Sequence, residues 1–128
     1  MSLLLDSQAF LWFVTQNPLL SARANALLES EPNPCFLSVA SIWEIAIKIS
    51  IGKLTVPQPF AAYIDEQLKL NVMEVLPIEI DDAATIISLP HHHRDPFDRI
   101  IVAQAFNRQM TLVSSDRQLD AYGVNRVW

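Results

Sequence analysis

Four acidic residues occupy positions from which their carboxylates could act together. Asp6 ends a short apolar run, Asp116 closely follows another, and Glu44 and Asp98 lie near the starts of two helical patterns. In a parallel sheet, strand carboxyl ends and helix N-termini share one edge, so the four carboxylates would meet there. Grouped carboxylates repel strongly unless they take up protons or a cation neutralises them. Oxygen ligands favour Mg²⁺ or Mn²⁺, which activate water and stabilise the charge that develops when a phosphodiester is cleaved.

Each acid also has a purely structural interpretation. Asp6 and Asp116 could be helix N-caps, and the helix dipole favours an acid at the position of Asp98. Glu44 could pair with Lys48 on a solvated face. However, the helix around Glu44 is apolar on nearly every side, so its polar residues form one narrow stripe. A stripe of this kind on a mostly buried helix more often lines a site than faces solvent.

The histidines, glycines and single cysteine limit the kinds of site that the chain can form. The run His91–His93 is a weak zinc signal, because adjacent histidines in a loop rarely converge on one ion and no second Cys or His cluster exists. A loop conformation or occasional substrate contact is the interpretation we favour. Gly52 and Gly123 are the only glycines, which excludes the glycine-rich phosphate loops. Cys35 is the only cysteine, so no internal disulfide can form, and a small buried hydrophobe in a reducing, cytoplasmic setting is expected.

The length, composition and net charge of the chain limit the classes of function that it can have. The chain has 128 residues, which predicts one domain spanning 1–128, and 51% of them are hydrophobic, which hints at burial against another chain. A net charge of −5 argues against nonspecific nucleic-acid binding by a broadly basic surface. No segment is long and apolar enough to span a membrane, and no secretion signal is expected. Five of the nine basic residues fall near the C-terminus, and all five are arginine: Arg94, Arg99, Arg108, Arg117 and Arg126.

Short apolar runs alternate with helical patterns along the chain. Strands are predicted at 2–5, 36–37, 72–76, 112–114 and 124–127. Helices are predicted at 9–14, 21–28, 60–70, 81–89 and 95–108, with a short one opening at Asp116 and a long one ending at Gly52. The long helix begins either at a capping box of Ser41 and Glu44 or nearer Ser38. Short apolar strands alternating with helices predict a three-layer α/β fold with a parallel central sheet.

Four segments, in this order, resemble the motifs of PIN-domain proteins, and among them of the VapC toxins of toxin–antitoxin modules. They are 3–7 (LLLDS), 38–54 (SVASIWEIAIKISIGKL), 89–105 (LPHHHRDPFDRIIVAQA) and 112–116 (LVSSD). The resemblance covers nearly the whole chain, and the second and third segments are long and specific.

The resemblance implies a metal-dependent endoribonuclease that hydrolyses RNA with a metal-activated water. It implies a homodimer neutralised by a small VapB-like antitoxin protein, and Mg²⁺ or Mn²⁺ as cofactor. The residues that it assigns to the metal and to catalysis are Asp6, Glu44, Asp98 and Asp116.

Four further residues are implied to support the acids or to contact the substrate. Ser7 and Ser114 stand where the family often has threonine, and the hydroxyl is kept. Asp95 would cap its helix, and Arg99 would bind a substrate phosphate or position the acids. Gln8 replaces a common histidine.

Two other functions compete with this one. A non-catalytic PIN-like module could bind RNA or a protein, although the presence of all four acids counts against the loss of a catalytic site. A receiver-like domain could use an aspartate as phosphoacceptor, but no convincing Asp-x-Asp pair follows the first strand.

Overall fold

Five short parallel strands form the central sheet. The computed structural model describes residues 1–128. The strands are β1 (Leu3–Leu5), β2 (Cys35–Ser38), β3 (Met73–Leu76), β4 (Thr111–Val113) and β5 (Arg126–Val127). Their order is β3-β2-β1-β4-β5, and every pairing is parallel. The chain moves outward from β1 to β3 and then crosses to β4 on the other side of β1. The gap beyond the carboxyl ends of β1 and β4 is therefore a topological switch point, where ligands bind in open α/β sheets.

Helices connect successive strands and cover both faces of the sheet. They are α1 (Ser7–Val14), α2 (Ala22–Glu29), α3 (Val39–Ser50), α4 (Phe60–Leu70), α5 (Ile80–Ser88), α6 (Pro96–Arg108) and a 3-10 helix, α7 (Arg117–Tyr122). None of the helices has both the length and the apolar character needed to cross a bilayer.

The central strand β1 contributes to a hydrophobic core on each face of the sheet. Leu3 and Leu5 pack into one core with residues of α1 to α4, and Leu4 packs into the other with residues of α5, α6 and α7. All three leucines are fully buried. Because successive strand side chains point to opposite faces, three consecutive leucines suit a strand that is covered on both sides. The three-layer α/β/α fold predicted from the sequence is confirmed.

The element bounds choose between two predicted helix starts and shorten one predicted strand. Helix α3 begins at Val39 with Ser38 as its N-cap, whose hydroxyl accepts from the Ala40 amide at 3.1 Å, so the start nearer Ser38 is correct. The chain enters α3 directly from β2, so no turn separates strand and helix. The short helix after Asp116 is 3-10 and is capped by Gly123, in the left-handed region at φ 76°, and β5 covers only 126–127 of the predicted 124–127.

Candidate metal centre

Asp6 directly follows β1 and Asp116 follows β4 by three positions, and both flank the switch point at the start of a helix. The Asp6 carboxylate accepts from the Ala9 amide at 2.7 Å, and the Asp116 carboxylate accepts from the Gln118 amide at 3.0 Å. Both residues are therefore N-caps, as the structural interpretation predicts. In each case the hydrogen bond to the helix uses Oδ1, which leaves Oδ2 turned to other partners.

Glu44 reaches the same region from α3, and Asp98 reaches it from α6. One oxygen of Glu44 accepts a hydrogen bond from the Ser7 hydroxyl, and the other lies 3.5 Å from the Lys48 ammonium. The i,i+4 pair with Lys48 thus exists, but the carboxylate is also held from α1 and is only 12% exposed. The Asp98 side chain is 19% exposed.

The environment of Asp98 disfavours its charge. Burial, the largest effect, and the negative charges of Asp95, Asp6 and Glu44 together raise the pKa of Asp98 to about 7, against an opposing effect of His93. A carboxyl group that is desolvated and surrounded by like charges holds its proton near neutral pH.

Asp6 belongs to the same electrostatic cluster. Burial raises the pKa of Asp6, and the charges of Glu44 and Asp116 add to the increase, while hydrogen bonds from Ser114 and the Ala9 amide oppose it. The four predicted acids therefore influence one another, although they come from four separate segments of the chain.

Two serines hold acids of the cluster in place. The buried Ser114 hydroxyl accepts from the Asp116 amide at 3.1 Å and interacts with the Asp6 carboxylate, so it links the ends of β1 and β4. Ser7, also buried, bridges α1 to Glu44. Asp95 caps α6 through the Phe97 amide at 2.8 Å.

His93 lies among the acids, which the sequence analysis missed. Its Nε2 is 2.8 Å from Asp116 Oδ2 and 3.3 Å from Asp98 Oδ2. Its Nδ1 accepts from the Asp95 amide at 3.0 Å, so in the neutral ring the proton lies on Nε2 and is donated to the carboxylates. Histidine–carboxylate contacts between positions so far apart in sequence leave no local signal. The other two histidines of the run do not join this group, so no three-histidine site forms.

Of the two roles expected of Arg99, its contacts favour positioning over binding a phosphate. Its guanidinium is buried and donates to the carbonyls of Pro90 at 2.8 Å and Leu89 at 3.2 Å, and to the Tyr122 hydroxyl at 3.2 Å. It is only 7% exposed, so it is not placed to bind a substrate phosphate. The Tyr122 hydroxyl in turn accepts from the His93 amide at 3.0 Å. Arg99 thus shapes the loop that carries His93 because it saturates the carbonyls at the end of α5.

The donor set of the cluster fits a divalent cation. Asp6, Asp98 and Asp116 form no ion pair with any lysine or arginine, and Glu44 has only Lys48. The partly buried negative charge is therefore poorly compensated by the chain itself. Carboxylate oxygens in this number suit the hard ions Mg²⁺ and Mn²⁺.

The fold and the site define a three-layer α/β protein with an acid cluster at the carboxyl edge of a parallel sheet. The family model described as PIN domain matches residues 3–125, and the chain belongs to the PIN-domain family. The resemblance read from the four sequence motifs is thereby confirmed.

Similarity to a named relative is more limited in extent. The chain is 35% identical over 74 residues to Ribonuclease VapC16 of Mycobacterium tuberculosis (strain ATCC 25618 / H37Rv). The match covers 55% of this chain, and the chain spans about half (51%) of the length of that relative.

Solved structures of related proteins share the fold over nearly the whole chain. VapBC2 from Rickettsia felis, bound to a DNA fragment from their promoter, superposes with a TM-score of 0.74 at 14% identity and covers 99% of this chain and 98% of that one. VapBC-1 from nontypeable Haemophilus influenzae gives 0.69 at 15% identity, covering 99% and 97%. VapBC-5 from Mycobacterium tuberculosis, a member of the VapBC family of toxin–antitoxin systems, gives 0.59 at 18% identity, covering 98% and 95%. At these identities the likeness concerns the fold alone.

Proposed function

We propose that the protein is a metal-dependent endoribonuclease that hydrolyses phosphodiester bonds of RNA as the toxin component of a toxin–antitoxin system. The observation that carries the proposal is that Asp6, Glu44, Asp98 and Asp116 come to the same end of the sheet with little compensating positive charge, and that Asp98 and Asp116 lie together against His93. The ribonuclease name of the partial relative supports the choice of RNA.

The four carboxylates would hold Mg²⁺ or Mn²⁺, which when bound lowers the pKa of a coordinated water and stabilises charge on the phosphate. The two buried hydroxyls of the cluster and the single thiol are poorly placed to act as nucleophiles. The Ser7 and Ser114 hydroxyls are engaged with Glu44 and Asp6, and Cys35 lies at the opposite edge of the sheet, where burial raises the pKa of its thiol. Water is therefore the attacking group that we propose.

We further propose a homodimer and a small VapB-like antitoxin as partners, and the cytoplasm as the place where RNA is cut. The solved VapBC structures support a protein partner of that class. Coexpression with the neighbouring reading frame, followed by copurification, would test the partner.

Cleavage of a mixed RNA pool tests the activity and the site together. Wild type and Asp98→Asn would be compared with Mg²⁺, with Mn²⁺ and with EDTA, with Asp65→Asn as a matched control because Asp65 is an exposed acid on α4. We expect ion-dependent cleavage by the wild type and the control, and a loss of more than about 100-fold in Asp98→Asn with an unchanged circular dichroism spectrum. Ion-dependent cleavage at full rate by Asp98→Asn would refute the site. An inactive wild type that still binds ions through its carboxylates would favour the non-catalytic module.

A further inference from the structure

A cleft of about 430 Å³ lies beside the acid cluster and shares Glu44 as part of its wall. Three basic residues line it: Lys48 at the end of α3, Lys53 in the turn that follows, and Arg94 in the loop before α6. Gly52 adopts a left-handed conformation at φ 75°, which folds the chain back so that the Lys53 amide donates to the Lys48 carbonyl at 2.9 Å. Two segments, the end of α3 with its turn and the loop before α6, therefore bring positive charge to one place.

These cations stand out in a chain whose net charge is −5. Three arginines already have partners. The buried Arg99 donates to backbone carbonyls, and Arg108 and Arg126 form ion pairs with Asp82 and Asp120. Two of the remaining cations without an ion pair, Lys53 and Arg94, both line this cleft and both are exposed. The cleft thus brings two unpaired cations together beside Glu44, whereas Arg117, which is also exposed and without an ion pair, follows Asp116 singly on α7.

The apolar part of the cleft suits a nucleobase. Ile47, Ile51 and Phe97 line it, and Ile51 is 59% exposed. Trp43 packs edge-on against Phe97 with ring centroids 5.2 Å apart, which fixes the orientation of the phenylalanine ring. Bases stack on aromatic side chains in single strands, whereas in an A-form duplex the bases are already stacked.

We propose that this cleft binds the nucleotide that flanks the cleaved bond of single-stranded RNA. Its phosphate lies against Lys53 and Arg94, its base lies against Phe97 and Ile51, and Glu44 marks the passage to the acid cluster. The assignment rests on the proposed ribonuclease function and replaces the substrate role expected of Arg99.

Fluorescence anisotropy with a labelled single-stranded oligoribonucleotide in EDTA tests the cleft without cleavage. In an Asp98→Asn background, the double variant Lys53→Ala/Arg94→Ala would be compared with Arg23→Ala/Lys69→Ala, which removes the same charge from exposed, unpaired residues on α2 and α4. We expect a loss of affinity of about 10-fold or more only in the cleft variant, and a salt dependence of log K that is shallower by about 1.4. Phe97→Leu should also weaken binding, while an RNA duplex should compete poorly.

The outcomes separate this assignment from the proposed function. If the wild type cleaves RNA but both double variants bind it equally well, the cleft assignment is wrong and the ribonuclease stands. If the wild type cleaves nothing but the cleft variant alone loses RNA affinity, the cleft stands as an RNA-binding surface and the ribonuclease fails. A wild type that binds no RNA refutes both. Loss of affinity for a VapB-like protein with RNA affinity unchanged would assign the cleft to a protein partner and overturn the proposal.

Discussion

The surroundings of the Asp98 side chain disfavour the ionised form of its carboxyl group in the folded protein. Burial and neighbouring acids raise its pKa to about 7 from an ordinary value of 3.8. The folded state therefore binds the Asp98 proton more tightly than the unfolded state does between these two pH values. A cation bound by the cluster would favour the ionised form of Asp98 and would stabilise the folded state.

We expect the free energy of unfolding in EDTA to fall as the pH rises from about 4 to 7. The sign follows because the folded state binds more protons in this window, so the stabilisation is complete below it and lost above it. The contribution is on the order of 2 kcal/mol for a side chain that retains some exposure. Urea denaturation at pH 5 and pH 8 would measure it. The decline should shrink in Asp98→Asn, and Mg²⁺ should restore stability at pH 8 in the wild type only. Equal pH dependence in both proteins would contradict the assignment of the pKa.

His93 positions the carboxylates of Asp98 and Asp116 through the proton on Nε2. In His93→Gln, the side-chain amide can place a donor near the position of Nε2. In His93→Asn, the shorter side chain reaches only the position of Nδ1, where its oxygen can accept a hydrogen bond. We expect ion-dependent cleavage to fall about 10- to 100-fold in His93→Asn, with a weaker apparent affinity for the ion, and less in His93→Gln.

Cleavage rates measured across a series of Mg²⁺ concentrations would separate the effect of His93 on ion affinity from a general loss of structure. Thermal denaturation in EDTA serves as the control for folding. If the Gln and Asn variants lose activity equally and their Mg²⁺ dependence is unchanged, His93 has only a structural role.

At the scale of elements, α5 and α6 are joined by a buried ion pair. Asp82, which is fully buried, accepts from Arg108 at 2.8 and 3.0 Å, from Asn107 at 2.9 Å and from the Glu79 amide at 2.8 Å. Burial alone would raise the pKa of Asp82, but these donors outweigh it and the pKa lies below its ordinary value. The pair therefore fixes the far end of the helix whose first turn carries Asp98.

Asp82→Ala should lower the free energy of unfolding by about 3 kcal/mol, because Arg108 and a capped helix start lose their partner. The stabilisation from Asp82 is present above its ordinary pKa and is lost as the pH falls through the lower folded value. Chemical denaturation of Asp82→Ala, Arg108→Ala and the double variant would give the coupling between the two residues. Additive losses in the double variant would show that the pair contributes little.

At the scale of the whole molecule, apolar surface remains uncovered. Twelve large hydrophobic residues are exposed, among them Ile80 and Ile87, which are 88% and 87% exposed on α5. Single exposed hydrophobics are ordinary, but this number agrees with the 51% hydrophobic composition in favouring burial against another chain.

We expect sedimentation velocity to show a species of twice the chain mass of 14.4 kDa. The reason is that, in purified protein, another copy of the chain is the partner available to cover this surface. Raising the salt concentration should strengthen the association if apolar contacts dominate it. A monomer at every concentration, with a complex formed only on coexpression, would assign the apolar surface to the proposed protein partner instead.

Local sequence patterns were enough to place most of the helices and strands and the end of the sheet at which the acids lie. Helix α4 has the predicted bounds of 60–70, and α6 begins at Pro96, directly after its Asp95 cap, as expected. These features are local, since periodicity, caps and proline act within a few residues of where they are read. Asp6 and Asp116 followed from the rule that parallel strands end at one edge.

The tertiary structure alone decided which side chains meet across that edge. His93 contacts Asp116 across 23 positions, and Arg99 donates to the Tyr122 hydroxyl and to a carbonyl at the end of α5. The basic cleft likewise joins the end of α3 to the loop before α6. Periodicity states which face of an element is buried, but not which group from another segment faces it. That depends on how the packed elements are spaced and rotated, which no local pattern records.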